Sequence, residues 1–233
     1  MKKTFNIVNI ILITLVLVLA SCYTALGGLW IKSLASAGFV VLMGVNLIYA
    51  LKIKTDKWKF SIVMLVGHVF SMVGDIVLNI EFMIGAIIFA VGHIFYFVAY
   101  CFLNRFKWID LIPGAIIFVP SALVITLVPL FDFGGIFMKI VCVVYALVIS
   151  LMLGKAISNL VRDRNRLNII LVIGSFLFFF SDLMLLFDVF GSGMSPMAYI
   201  IFDTMCLATY YPAQCVLGYS LMLLPKSTEK SEI

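Results

Sequence analysis

Residues 60–80, FSIVMLVGHVFSMVGDIVLNI, carry one acidic residue, Asp75, inside an apolar run long enough to cross a bilayer. A helix rises ~1.5 Å per residue, so about 20 residues span a ~30 Å hydrocarbon core. The rest of the chain repeats this pattern. Of 233 residues, 64% are hydrophobic and 12% charged, whereas a soluble domain has roughly 45–50% apolar and about 25% charged residues. A soluble fold is therefore excluded. The net charge of +5 does not indicate nucleic-acid binding, because the basic residues lie between apolar runs. The apolar stretches predict an all-α integral membrane protein with eight transmembrane helices, at about 5–26, 33–51, 60–80, 82–103, 111–130, 136–158, 167–188 and 196–224. Residues 1–233 form a single transmembrane domain in this reading, expected in the cell membrane with the lipid bilayer as its surroundings.

Of the 16 Lys and Arg residues, all but Lys32 and Lys139 fall at the termini or in alternate connections. These groups are Lys2 and Lys3; Lys52 to Lys59; Arg105 and Lys107; Lys155 to Arg166; and Lys226 and Lys230. The positive-inside rule then places both termini in the cytoplasm. Met1-Lys2-Lys3 followed by an apolar run and Leu19-Ala20-Ser21-Cys22 also has the form of a lipoprotein signal, in which Cys22 would carry lipid and seven spans would remain. A retained first helix is the favoured reading. Cys101, Cys142, Cys206 and Cys215 lie in apolar runs without metal-ligand spacing and read as buried thiols.

The chain matches itself at an offset of 107 residues. Gly27 to Lys32 aligns with Gly134 to Lys139, and Gly67 to Asp75 aligns with Gly174 to Asp182. Two four-helix halves, about 5–107 and 112–224, related by a parallel repeat would produce this match. Asp75 lies 16 residues beyond Lys59 and Asp182 lies 16 beyond Arg166. Each carboxylate is thus expected ~24 Å from the basic helix end, at one shared depth.

An ionisable residue inside a span costs several kcal/mol unless it is paired or hydrated, so each one is a candidate functional group facing the bundle interior. Asp75, His93, Asp182 and Asp203 stand out. His68, Ser71 and Asp75 share one helix face, and His93 and Tyr96 are about one turn apart. Asp203, Tyr210, Tyr211 and Gln214 lie on a helix interrupted by Pro212. His68 reads as a satisfied interior histidine, and Phe176, Phe178, Phe179 and Phe180 read as a packing or lipid-facing surface. Lys32 and Lys139 suit either structural ion pairs or a role at the site.

The set Phe70 to Leu78 with Ser71, Gly74 and Asp75, then Gly85, Phe89, Gly92-His93 and Tyr96, resembles the signature of the YhhN-like lysoplasmalogenase family. Gly174 to Asp182, with Ser181-Asp182, and Tyr210-Tyr211-Pro212-Ala213-Gln214 are similar to its second block. Lys32 after Trp30 resembles its early lysine. Ser33 stands where the family often has proline, Pro212 replaces a small residue, and Asp203 and His68 have no counterpart in the pattern. The resemblance implies a multi-pass membrane hydrolase that cleaves the vinyl ether bond of a lysophospholipid, releasing a fatty aldehyde and a glycerophospho-ethanolamine or glycerophosphocholine.

A vinyl ether is stable to base and labile to acid, so such a site must supply a proton, a stabilising negative charge and a positioned water. Two carboxylates at one depth in a low-dielectric bundle repel each other, which favours one acid beside one carboxylate. Asp75 and Asp182 are the expected pair, with the assignment between them open. His93 is expected to orient water or relay a proton. Tyr96 and Tyr211 would bond the ether oxygen or hemiacetal, and Lys32 would bind phosphate or bias the carboxylates. Ser71, Tyr210 and Gln214 complete the expected substrate-binding set. Ser71-x-x-x-Asp75 also resembles an element of integral-membrane zinc hydrolases, but those use three histidine ligands and this chain has only His68 and His93. No metal and no other cofactor is expected. Interior acids, a repeat and a broken helix also suit a small proton-coupled transporter, which is the alternative function.

Overall fold

The structure, a computed structural model, describes residues 1–227. Lys230 lies outside the described residues. Eight long helices run in sequence: α1 (Lys2–Leu26), α2 (Leu29–Lys52), α3 (Trp58–Val77), α4 (Phe82–Leu103), α5 (Leu111–Leu127), α6 (Ile136–Arg162), α7 (Arg166–Phe190) and α8 (Pro196–Tyr219). One-turn 3-10 helices precede α5 (Trp108–Asp110) and follow α8 (Ser220–Leu223). Among the described residues, seven helices are long and apolar enough to cross a membrane. The exception is α8, which has 24 residues but also carries Asp203, Thr204, Thr209, Tyr210, Tyr211 and Gln214. Its length suffices for a span. Its polar residues include Tyr210, Tyr211 and Gln214, which are buried inside the bundle rather than turned to lipid.

The helix ends follow from local chemistry. Glu81 accepts a bond from the backbone of Ile84 at the start of α4, and Asn165 does the same for Asn168 at the start of α7. Ser195 caps α8 with Pro196 in its first turn. Both α2 and α6 begin after a Gly-Gly pair whose first residue has a left-handed backbone, φ 69° at Gly27 and 64° at Gly134. The three tryptophans, Trp30, Trp58 and Trp108, sit exposed at or near helix ends, as an interfacial aromatic belt requires.

Packing pairs join α3 to α4, α7 to α8, α5 to α6 and α1 to α2, while α2 and α4 reach across to α8 and α6. Small residues permit the close approaches. A Cβ on Gly67 would lie 2.6 Å from the Tyr96 ring, and one on Gly174 would lie 2.6 Å from Leu217. Gly154 of α6 packs on the backbone of Gly114 in α5. Asn9 of α1 and Asn46 of α2 exchange side-chain amide bonds at 2.8 and 2.7 Å, and Asn46 also donates to the Gly218 carbonyl. Cys22 lies half-buried in the last turns of α1.

One reading of the charges is corrected. Lys155 is not a connection residue: it lies within α6, fully buried, 2.8 Å from the Asp110 carboxylate. Ser158 and Arg162 also bond Asp110, and Lys155 donates to the Asn104 carbonyl. A lysine two turns from a helix end resembles a loop charge in sequence. Burial became tolerable because the α4–α5 connection folds an aspartate and a carbonyl onto it.

Candidate active site

Asp75 sits in the last turn of α3 and is 3% exposed. Lys32, near the start of α2, places Nζ 3.1 Å from its Oδ1. Ser36, one helical turn along α2, donates to Oδ2 at 2.5 Å, and Tyr211 of α8 donates to the same oxygen at 3.1 Å. Two helices, α2 and α8, thus converge on the carboxylate of a third. Buried with a matching cation and two hydroxyl donors, it has the compensation that an ionised group in an apolar bundle needs. The Lys32 ammonium also lies 5.4 Å from the centre of the Tyr23 ring of α1.

Asp182 on α7 has a different environment. Tyr145 of α6 donates to its Oδ2 at 2.6 Å, and His93 Nε2 of α4 lies 3.3 Å from the same oxygen and 2.8 Å from the Tyr145 hydroxyl. Oδ1 of Asp182 makes no hydrogen bond among the described residues. The ring of His93 is wedged edge-on to Phe178, with centroids 4.5 Å apart, and its buried Nδ1 has no hydrogen-bond partner among the described residues. Phe178 is therefore a packing residue, whereas Phe176 is exposed.

The two carboxylates do not bond each other; each has its own partner set. They nevertheless line one polar cavity of about 200 Å³, together with Lys32, Asp188, Asp203 and Tyr210. It lies toward the bundle end formed by the α3–α4 and α7–α8 turns, away from the basic connections. A second, apolar pocket of about 80 Å³ lies beside it, between α4, α5, α6 and α7. Leu78, Phe82, Phe89, Asp182 and Leu185 line both. Asp182 is the ionisable residue common to the two linings.

The remaining expected residues lie behind this wall. Tyr96 donates to Gln214 Oε1 at 3.1 Å and also contacts Ser71 Oγ and His68 Nδ1, each at 3.1 Å. His68, Ser71, Tyr96 and Gln214 are all fully buried. They tie α3, α4 and α8 together and position Tyr210, whose hydroxyl donates to the Ser71 carbonyl at 3.3 Å. Asp203 is exposed at the cavity. Lys139 does not reach Asp182; its Nζ donates to the Thr126 carbonyl at 3.0 Å. Among the described residues, no group of three or more His, Cys, Asp or Glu side chains is placed to hold a metal ion.

Sequence reasoning missed Ser36 and Tyr145. Hydroxyl side chains are tolerated in apolar helices, so neither residue stands out by composition. The available signal was spacing: Ser36 follows Lys32 by four residues, which puts both on one face of α2.

Fold and site together define a multi-helix membrane protein with charged groups enclosed between its helices. The chain belongs to the YhhN family, whose family model matches residues 35–221. At the level of the family, this membership points to a lysoplasmalogenase-type hydrolase. The matched region contains Asp75, His93, Tyr145 and Asp182; Lys32 lies just before it and is joined to the site by the fold. No curated protein and no solved structure gives a significant match.

Proposed function

We propose that the protein hydrolyses the vinyl ether bond of a lysophospholipid within the membrane. The observation that carries this reading is the position of Asp182 on the wall shared by a polar cavity and an apolar pocket. An amphiphile with its headgroup in the first and the nearest carbons of its hydrocarbon chain in the second brings the bond joining them to this carboxylate. In the vinyl ether R–CH=CH–O–R′, that bond lies at the junction of chain and headgroup.

In the proposed reaction Asp182 is the acid. Protonated, it keeps Oδ2 as the oxygen accepting from Tyr145 and His93 and carries its proton on the unengaged Oδ1. Transfer of that proton to the β-carbon leaves positive charge shared between the α-carbon and the ether oxygen. Asp75, paired with Lys32, supplies the compensating negative charge. Water adds to the α-carbon and returns a proton to Asp182. The hemiacetal then collapses to the aldehyde R–CH2–CHO and the alcohol R′–OH, so one water is consumed and no net proton. Tyr210, on the cavity wall, accepts from the hemiacetal hydroxyl while donating to the Ser71 carbonyl, and Lys32 borders the space for the phosphate.

Three features support two related halves and an outward-facing site. The helices α4 and α8, matched in the repeat, pack on α6 and α2, which are matched in turn. The Gly-Gly starts of α2 and α6 correspond. The basic connections all lie at the end away from the cavity, which by the positive-inside rule is cytoplasmic.

Detergent-solubilised, purified protein incubated with lysoplasmenyl-ethanolamine is expected to release fatty aldehyde, with no free fatty acid from the ester counterpart and no loss of rate in chelator. Activity confined to sealed vesicles would favour the carrier reading. Loss in chelator with rescue by zinc would overturn the metal-free mechanism.

A further inference from the structure

The apolar pocket has one wall unlike the others. Ser121 and Ile125, one turn apart on α5, close the pocket on that side. The helix–helix packing of α5 is against α6. At its basic end α5 is pinned firmly. Gly114 is in backbone contact with Gly154, and the preceding turn is held through Asp110 by the buried Lys155 and Ser158 and by the half-buried Arg162. Pro120 then sits inside the continuous helix and lacks the backbone donor that would bond the carbonyl of residue 116. Beyond it, the side-chain tie from this outer half to α6 among the described residues is the bond from Lys139 to the Thr126 carbonyl, and past Leu127 the chain is held to the end of α7 by backbone bonds from Ser192 to the Leu130 carbonyl and from Asp132 to the Phe190 carbonyl.

We infer that the outer half of α5, from Pro120 to Leu127, is a side gate through which one hydrocarbon chain of a lipid passes directly from the bilayer into the apolar pocket. A second route leads through the polar cavity. That route would draw the chain past Lys32, Asp75, Asp188 and Asp203, stripping water from charged groups with nothing to replace it. Entry beside α5 keeps it among apolar side chains throughout. A helix held at both ends, packed against α6 and lacking one backbone bond at Pro120 can yield between its anchors, which is the movement this requires. This inference extends the proposed reaction by naming the site of the substrate's chain, but the gate itself is testable without turnover.

Cys142 lines the pocket and serves as a native reporter. In the double variant Thr126→Cys/Lys139→Cys, joined by a short bis-maleimide, the outer half of α5 is fastened to α6 outside the pocket. The full-length protein in liposomes is then treated with N-dodecylmaleimide, and labelling of Cys142 is followed by site-resolved mass spectrometry. Fastening is expected to slow labelling at least tenfold relative to the unjoined variant. Ile125→Trp, which fills the pocket from the gate, should slow it similarly, while Leu123→Trp on the exposed face of α5 should not. Unchanged labelling of the joined protein would overturn the gate. Blocked labelling in a protein that cleaves no vinyl ether would keep the gate and remove the hydrolase reading.

Discussion

Lys32 Nζ lies 3.1 Å from Asp75 Oδ1, whereas Lys139, the residue 107 positions further on, contacts the Thr126 carbonyl and leaves Asp182 to a tyrosine and a histidine. The sequence match between the halves therefore conceals a chemical difference. One carboxylate has a fixed counter-charge and the other has only hydrogen-bonding partners, which is the asymmetry an acid and a stabilising carboxylate require.

Asp182→Asn and Asp75→Asn each keep a hydrogen-bonding oxygen and remove the carboxylate. Each is expected to lower aldehyde release by about 10²–10⁴-fold, the usual contribution of a positioned acid or base. Near-wild-type release by both variants would sink the assignment.

Tyr145→Phe keeps the ring, which packs edge-on against His93 at 5.4 Å, and removes the hydroxyl held 2.6 Å from Asp182. Losing one bond to an ionisable group, worth about 1.5–3 kcal/mol, should reduce kcat by roughly 10–100-fold. KM should hardly change. A wild-type kcat in a protein with a lowered unfolding temperature would mark the Tyr145 hydroxyl as structural only.

Lys32→Met leaves Asp75 buried without its counter-ion and is expected to cost about 3–5 kcal/mol of stability. The double variant Lys32→Met/Asp75→Asn should recover most of that loss in detergent unfolding while remaining inactive. Recovery of activity with stability would show that the pair is only structural.

Asp110→Asn is a complementary case far from the cavity. It strands the fully buried Lys155 and should destabilise the protein by about 3–5 kcal/mol, read as a lowered Tm in detergent. Activity per folded molecule is expected to persist at low temperature. An unchanged Tm would mean that Lys155 finds enough compensation in the Asn104 carbonyl.

The span positions were legible in the sequence because the bilayer demands about 20 apolar residues per crossing, a local property. For α4 the expected limits, 82–103, coincide with Phe82–Leu103, and the other helices differ by a few residues at their ends. Asp75, His93 and Asp182 were visible for the same reason: an ionisable group in an apolar run is an anomaly that needs no neighbour to reveal it. Which groups meet was another matter. Tyr145 and Ser36 are unremarkable in composition, Lys155 passed for a connection charge, and Lys32 and Lys139 are equivalent by position. Only helix packing decided that Lys32 reaches a carboxylate, that Lys139 does not, and that Asp182 stands between a polar cavity and an apolar pocket. Partner choice depends on the rotation and approach of helices distant in the chain, set by contacts such as Gly67 on Tyr96 and Gly154 on Gly114.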